Sequence, residues 1–186
     1  MGATTITHKA EEINAYNFQS SDELLLDTNI WIRVYGPQKP QNRKSEVYSQ
    51  ALSKILAAGS RIYIDVLIVS EFINTYARLK WNLWKNQTQS KAEFKDFRKN
   101  GDFKPVAQDI SADLKLVLKQ CTRVDSGFES LEIDGLINEY AAGDSDFNDQ
   151  ILTALCKKSG FKLVTDDGDF KNRGIPVITA NKKLLV

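Results

Sequence analysis

A chain of 186 residues, 42% hydrophobic and with a formal net charge of +1, has the size and composition of one folded domain with its own core. It has no apolar run near the roughly 20 residues of a membrane span, and its N-terminus lacks the basic and apolar blocks of a signal peptide, so a cytoplasmic, non-membrane protein is expected. His8 is the only histidine, and the two cysteines, Cys121 and Cys156, lie far apart. That pattern argues against Ser-His-Asp or Cys-His catalysis, a zinc site and a disulfide, and leaves carboxylates to carry any chemistry.

Residues 1–21 are polar and non-periodic and read as an N-terminal arm. Residues 22–186 then read as a single domain. Leu24-Leu25-Leu26 before Asp27 predicts a strand buried on both faces, as in a parallel sheet. A short helix over 28–34 stops before Gly36-Pro37, and 36–44 form a loop. A helix is expected over 45–58, ended by Gly59, then a strand over 61–64 and a longer helix over 66–84. Further helices are expected over 90–99, 106–120 (starting at Pro105) and 129–140, with a strand over 121–124. A helix over 146–158 and strands over 161–165 and 175–178 close the chain. Strands alternating with helices predict an α/β fold with a mainly parallel sheet.

Charge is unevenly spread. Arg78 to Arg123 holds eleven Lys and Arg against five Asp and Glu, and Val124 to Phe170 holds three against eleven. A basic segment beside an acidic one suits a polyanion held by one and cut at the other; two solvated faces of opposite sign fit as well.

Four acidic stretches stand out. Asp27 ends a buried strand, where open α/β sheets bind ligands, and it also suits a helix N-cap. Glu71 interrupts an apolar stretch and faces either a pocket or solvent. Asp146 and Asp149 share one face at a helix start; Asp146 suits the cap, and Asp149 adjoins the apolar Ile151-Leu152. Thr165-Asp166-Asp167-Gly168-Asp169 is an Asp/Gly turn with more negative charge than a turn requires. Crowded carboxylates raise one another's pKa unless a cation neutralises them.

In this order the pieces resemble the PIN-domain nucleases. The strongest matches are LLLDTNIWI and FNDQILTAL…FKLVTDDGDF, within residues 24–80 and 145–180. The resemblance implies a three-layer α/β/α fold with four to five sheet strands, here with extra helices inserted at about 84–143. It places the family's four catalytic acids on Asp27, Glu71, Asp149 and Asp167, the last because it stands two after Thr165. Asn29 or Thr28 takes the family's small polar position. Asp146, Asp169 and Thr165 are supporting residues.

An oxygen-only ligand set selects Mg²⁺ or Mn²⁺, with Asp27, Asp149 and Asp167 as ligands and Glu71 completing the pocket. The expected reaction is hydrolysis of RNA phosphodiesters by metal-activated water. Lys80, Lys85, Lys91, Lys95, Arg98 and Lys99 are candidates for the RNA backbone. Trp81 and Trp84 are read as packing residues ahead of base-stacking ones. The resemblance also brings in VapC-type toxins, held by a cognate antitoxin and often dimeric. Three other readings compete. One is a PIN module that binds RNA or protein without cutting. Another is a haloacid dehalogenase-like phosphatase, which has a second Asp where Asn29 stands. The last is a plain α/β interaction domain.

Overall fold

The computed structural model describes residues 9–37, 42–143 and 146–186. His8, the Asp144-Ser145 pair and part of the loop expected over 36–44 lie outside the described residues. Among the described residues six parallel strands form one sheet in the order β1-β6-β5-β2-β3-β4. These are β1 (Glu11–Glu12), β2 (Glu23–Leu26), β3 (Arg61–Ile64), β4 (Thr122–Arg123), β5 (Lys162–Val164) and β6 (Val177–Thr179). The helices are α1 (Thr28–Tyr35), α2 (Arg43–Ala58), α3 (Val66–Thr88), α4 (Phe94–Phe97), α5 (Phe103–Lys119), α6 (Ile133–Ala141) and α7 (Phe147–Ser159). They cover both faces of the sheet, giving three α/β/α layers, with α1 against α2 and α3, α3 against α5, and α6 against α7.

The triple leucine explains the centre. Leu24, Leu25 and Leu26 are fully buried because β2 has strands on both sides and helices on both faces. Each such side chain contributes about 1.5–3 kcal/mol of burial. Leu26 is in register with Val164 on β5, and the Asp27 N–H donates to the Val164 carbonyl at 3.0 Å. The β2 and β5 ends are thereby fixed side by side. Helix α1 then turns away and stops at Gly36, where a Cβ would stand 2.6 Å from the Ile32 carbonyl oxygen. Any side chain there would force the backbone apart, which is why the turn needs glycine.

The expectation of four to five strands is exceeded by one. The extra strand is β1, inside the segment read as an arm: Glu11 and Glu12 pair with Ile178 and Thr179. Two residues give no periodicity to read, and the neighbouring residues secure the pairing instead. Ile13 is fully buried, and its N–H donates to the Thr179 carbonyl at 2.9 Å. Asp22, also buried, accepts from Lys162 Nζ at 2.7 Å and from the Tyr16 hydroxyl at 3.0 Å. Burial opposes ionisation of Asp22, yet its hydrogen bonds, that from Lys162 above all, hold the carboxyl below its usual range.

The middle of the chain departs further. Helix α3 continues to Thr88, one turn past expectation, and the helix expected over 90–99 shrinks to the four residues of α4. Residues 128–130 form a 3-10 turn, so the helix expected from 129 starts only at Ile133. Trp81 packs on Phe94 with centroids 5.6 Å apart, and Trp84 on Phe97 at 4.9 Å. Their indole N–H groups donate to the Ala92 carbonyl at 3.2 Å and to Asp102 at 3.0 Å. Both tryptophans therefore pack α4 onto α3. Neither cysteine is in a disulfide, and burial pushes both thiols up to about 12. No described helix is long and apolar enough to cross a membrane.

Candidate active site

Parallel β2 and β5 bring Asp27 and the Thr165–Asp169 turn to one sheet edge, the carboxyl end of both strands. Asp27 sits at the N-cap position of α1, yet its side chain makes no helix-cap hydrogen bond. Its Oδ2 instead accepts from Asn29 Nδ2 at 2.5 Å and from the Thr165 hydroxyl at 2.6 Å. Asn29 also donates to the Thr165 oxygen at 3.1 Å, and its own carbonyl accepts from the Asp166 N–H at 3.1 Å. The Thr165 oxygen accepts in turn from the Asp167 N–H at 3.0 Å. One amide and one hydroxyl thus tie α1 to the β5 turn and fix the direction of the Asp27 carboxylate.

Glu71 reaches the same edge from α3, accepting from the Thr28 hydroxyl at 3.0 Å. Asp149 arrives from the first turn of α7. Asp146 takes the capping role there, accepting from the Asn148 N–H at 2.8 Å, and leaves the Asp149 carboxylate free of that duty. Asp167 accepts from the Asp169 N–H at 3.0 Å at the start of a 3-10 turn, and both are exposed.

The charges act on one another. Asp27 is pushed up to about 6, first by burial, against the stabilising Thr165 hydroxyl, and further by the charges of Glu71 and Asp167. Asp149 is pushed up to about 7, first by burial and then by the charges of Asp27, Asp167, Asp146 and Asp169. Carboxylates that raise one another's pKa need a cation or a proton to relieve them. As they stand, no three described His, Cys, Asp or Glu side chains form a ligating group. The donor chemistry nevertheless fits a hard divalent ion, since every candidate ligand is an oxygen.

The second acid of the turn, Asp166, has a different environment. It is 7% exposed and forms ion pairs with Arg33 and with Lys44, the latter at 2.7 Å. Its Oδ1 accepts from the Tyr48 hydroxyl at 3.0 Å, and its backbone carbonyl accepts from Asn181 Nδ2 at 2.7 Å. Two cations neutralise this carboxylate, so it anchors the turn while Asp167 faces out. Arg33, Lys44, Tyr48 and Asn181 belong to none of the acidic stretches that stand out in the sequence. The one sequence signal for them is the crowding of aspartates itself, which demands local cations.

The candidate lysines and arginines do not line one common cleft. Lys80 pairs with Asp109 at 3.2 Å, and Lys85 lies 4.7 Å above the Trp81 ring. Lys95, Arg98 and Lys99 line a cleft of about 470 Å³ together with Arg78, and Lys91 is not in its lining. A separate groove between α1 and α3 runs from Thr28, Asn29 and Glu71 to Ile32, Thr75 and Leu79.

The family match and one solved structure agree with this architecture. The family model described as PIN domain matches residues 24–176. A chain in the crystal structure of VapBC2 from Rickettsia felis bound to a DNA fragment from their promoter is similar in fold. Its TM-score is 0.53 at 16% identity, with 84% of this chain and 98% of that chain covered. PAE2754 from Pyrobaculum aerophilum matches with a TM-score of 0.47 at 15% identity, covering 94% of each chain. No curated protein matches the chain.

Proposed function

The chain belongs to the PIN domain family, and on that premise we propose that it is a metal-dependent endoribonuclease. The observation that supports this most is the mutual charge pressure at the shared end of β2 and β5, where burial and neighbouring carboxylates raise both Asp27 and Asp149. Such repulsion does nothing for stability, because a neutral or apolar replacement would relieve it; it suits a site built to hold positive charge.

Asp27, Asp149 and Asp167 would hold Mg²⁺ or Mn²⁺, with Glu71 at the margin. Such an ion, when bound, supplies positive charge that lowers the pKa of water and stabilises the charge developing on the phosphodiester. The chain's own residues orient the carboxylates. Asn29 and Thr165 aim Asp27, Thr28 holds Glu71, and the Asp146 cap leaves Asp149 unspent. Asp166, already neutralised by Arg33 and Lys44, keeps the turn in place without competing for the ion. Asn29 where a phosphatase of the haloacid dehalogenase type would carry a second aspartate weighs against that alternative.

The test uses labelled single-stranded RNA with Mg²⁺ or Mn²⁺, then with chelator, for the natural protein and for Asp27→Asn and Asp149→Asn. Cleavage should need the metal and fall by at least about a thousandfold in both variants, a loss of roughly 4 kcal/mol of barrier lowering. Cleavage that survives both substitutions overturns the assignment. RNA binding without cleavage in the natural protein makes it a non-catalytic PIN module. The VapBC2 likeness supports a narrower reading, the toxin of a toxin–antitoxin pair. Expression of the chain alone should then arrest growth, and Asp149→Asn should lift the arrest.

A further inference from the structure

The cleft lined by Asn74, Arg78, Phe94, Lys95, Arg98 and Lys99 contains four cationic side chains and no carboxylate. None of the four pairs with a described acid, unlike Lys80. All four are exposed. Four like charges around one cleft concentrate positive potential there, and that potential attracts an anion.

The cleft is also built. Phe97, 1% exposed, anchors α4 between Trp84 and Phe103 with centroids at 4.9 Å and 5.5 Å. Phe94 packs on Trp81, and both arginines lie beside its ring, Arg78 at 4.8 Å and Arg98 at 5.9 Å from the centroid. An arginine resting on an aromatic ring keeps its N–H edge free, and that edge matches a phosphate bidentately. With its ring flanked by guanidinium groups, Phe94 serves as a platform for arginines and leaves little room for a base.

Position along α3 links this cleft to the acids. Glu71 and Arg78 both lie on α3, two helical turns apart, and so share a face about 10 Å apart along the axis. That separation corresponds to about three nucleotides of a stacked strand at roughly 3.4 Å each. We propose that the Arg78–Lys95–Arg98–Lys99 cleft holds the phosphate backbone of the RNA strand, a few nucleotides from the point of cleavage. This rests on the ribonuclease reading and adds to it a place where the substrate is gripped. Single-stranded RNA is favoured over an acidic protein because paired guanidinium edges suit phosphates, and because the cleft lies on the helix face that carries Glu71.

The experiment measures binding of a fluorescent single-stranded RNA of about 12 nucleotides, within the usual site sizes for unpaired strands. The full chain carries Asp149→Asn so that binding is read without cleavage. Two paired variants are compared on it, Arg78→Gln with Arg98→Gln and Lys95→Gln with Lys99→Gln. The lysine pair touches no aromatic packing, so it reports even if the arginine pair disturbs α4. Each pair should weaken binding about tenfold or more at low salt and flatten the log-affinity against log-salt slope by about 1.4. A charge-matched control on α5, Lys115→Gln with Lys119→Gln, should change neither. Unchanged affinity and slope in both cleft pairs overturns the proposal. So does a polyglutamate peptide that binds the cleft while RNA does not. Cleavage is read separately with Asp149 intact. Metal-dependent cleavage with binding indifferent to the cleft removes the cleft alone, and RNA held by the cleft without cleavage removes the nuclease reading alone.

Discussion

The sheet edge at β2 and β5 and the helical segment from α4 to α6 are built on opposite terms. At the edge, Asp27 and Asp166 are buried and Asp149 is half-buried, and backbone pairing of parallel strands fixes the β2 and β5 ends to one residue of register. In the segment, α6 has no buried residue at all, and its Ile137 and Tyr140 are 50% and 57% exposed. The first region gains its stability from the core and keeps carboxylates that press on one another. The second contributes surface, and its charges are arranged by a few aromatic anchors. Packing and charge therefore draw on different residues in each.

Substitutions should separate the two regions sharply. The largest effect is expected at the centre: Leu25→Ala removes a fully buried side chain in β2 and should cost about 3–4 kcal/mol in denaturant unfolding. A cost under about 1 kcal/mol would mean that β2 is not the packed centre of the sheet. Next comes Asp166→Asn, which leaves Arg33 and Lys44 without their carboxylate. Loss of a buried partner costs about 3–5 kcal/mol when both groups are dry. Lys44 has half its side chain in water, so about 2 kcal/mol is expected here. If stability is unchanged and cleavage also persists, the ion-pair anchor has no role in the turn.

A pH effect ranks third. Asp27 and Asp149 have folded pKa values raised to about 6 and about 7. A carboxyl group with a raised folded pKa binds its proton more tightly in the folded state than in the unfolded one. Its contribution to stability is therefore greatest below about pH 4 and is lost as pH rises towards 6 and 7. Without metal, Asp149→Asn should raise Tm by several degrees at about pH 8 and leave it nearly unchanged at about pH 4. Equal Tm values for variant and natural protein at the higher pH would show that the acids do not press on one another. The smallest effect is expected in the helical segment, where Ile137→Ala should cost under about 0.5 kcal/mol. A larger cost would mean that α6 is covered in solution.

Legibility in the sequence divides along the same line. Leu24-Leu25-Leu26-Asp27 can be read because a strand buried on both faces leaves an uninterrupted apolar run, and its first polar residue marks the strand end. The helix bearing Asp149 and the turn bearing Asp167 carry comparably local signals. In contrast, β1 is two residues long, and its pairing with β6 joins positions 11 and 178. No local pattern encodes so distant a contact. The Asp166 anchor likewise depends on Arg33 and Lys44, which stand 133 and 122 residues away. Helix α4 is shorter than its sequence suggests because Phe94 and Phe97 have helical spacing over one turn only, and their partners Trp81 and Trp84 lie on α3. Arg78 carries no mark of its own in the sequence: the helix expected over 66–84 already sets it two turns from Glu71, but its place beside Phe94, Lys95 and Arg98 depends on how α4 packs on α3.

Everything at the sheet edge depends on whether Asp27 and Asp149 share a divalent cation. Mn²⁺ titration followed by electron paramagnetic resonance tests this without any RNA. The natural protein at about pH 8 should bind Mn²⁺, and Asp27→Asn and Asp149→Asn should each weaken binding at least about tenfold, or roughly 1.4 kcal/mol. Equal Mn²⁺ affinity in the natural protein and both variants would contradict a shared site.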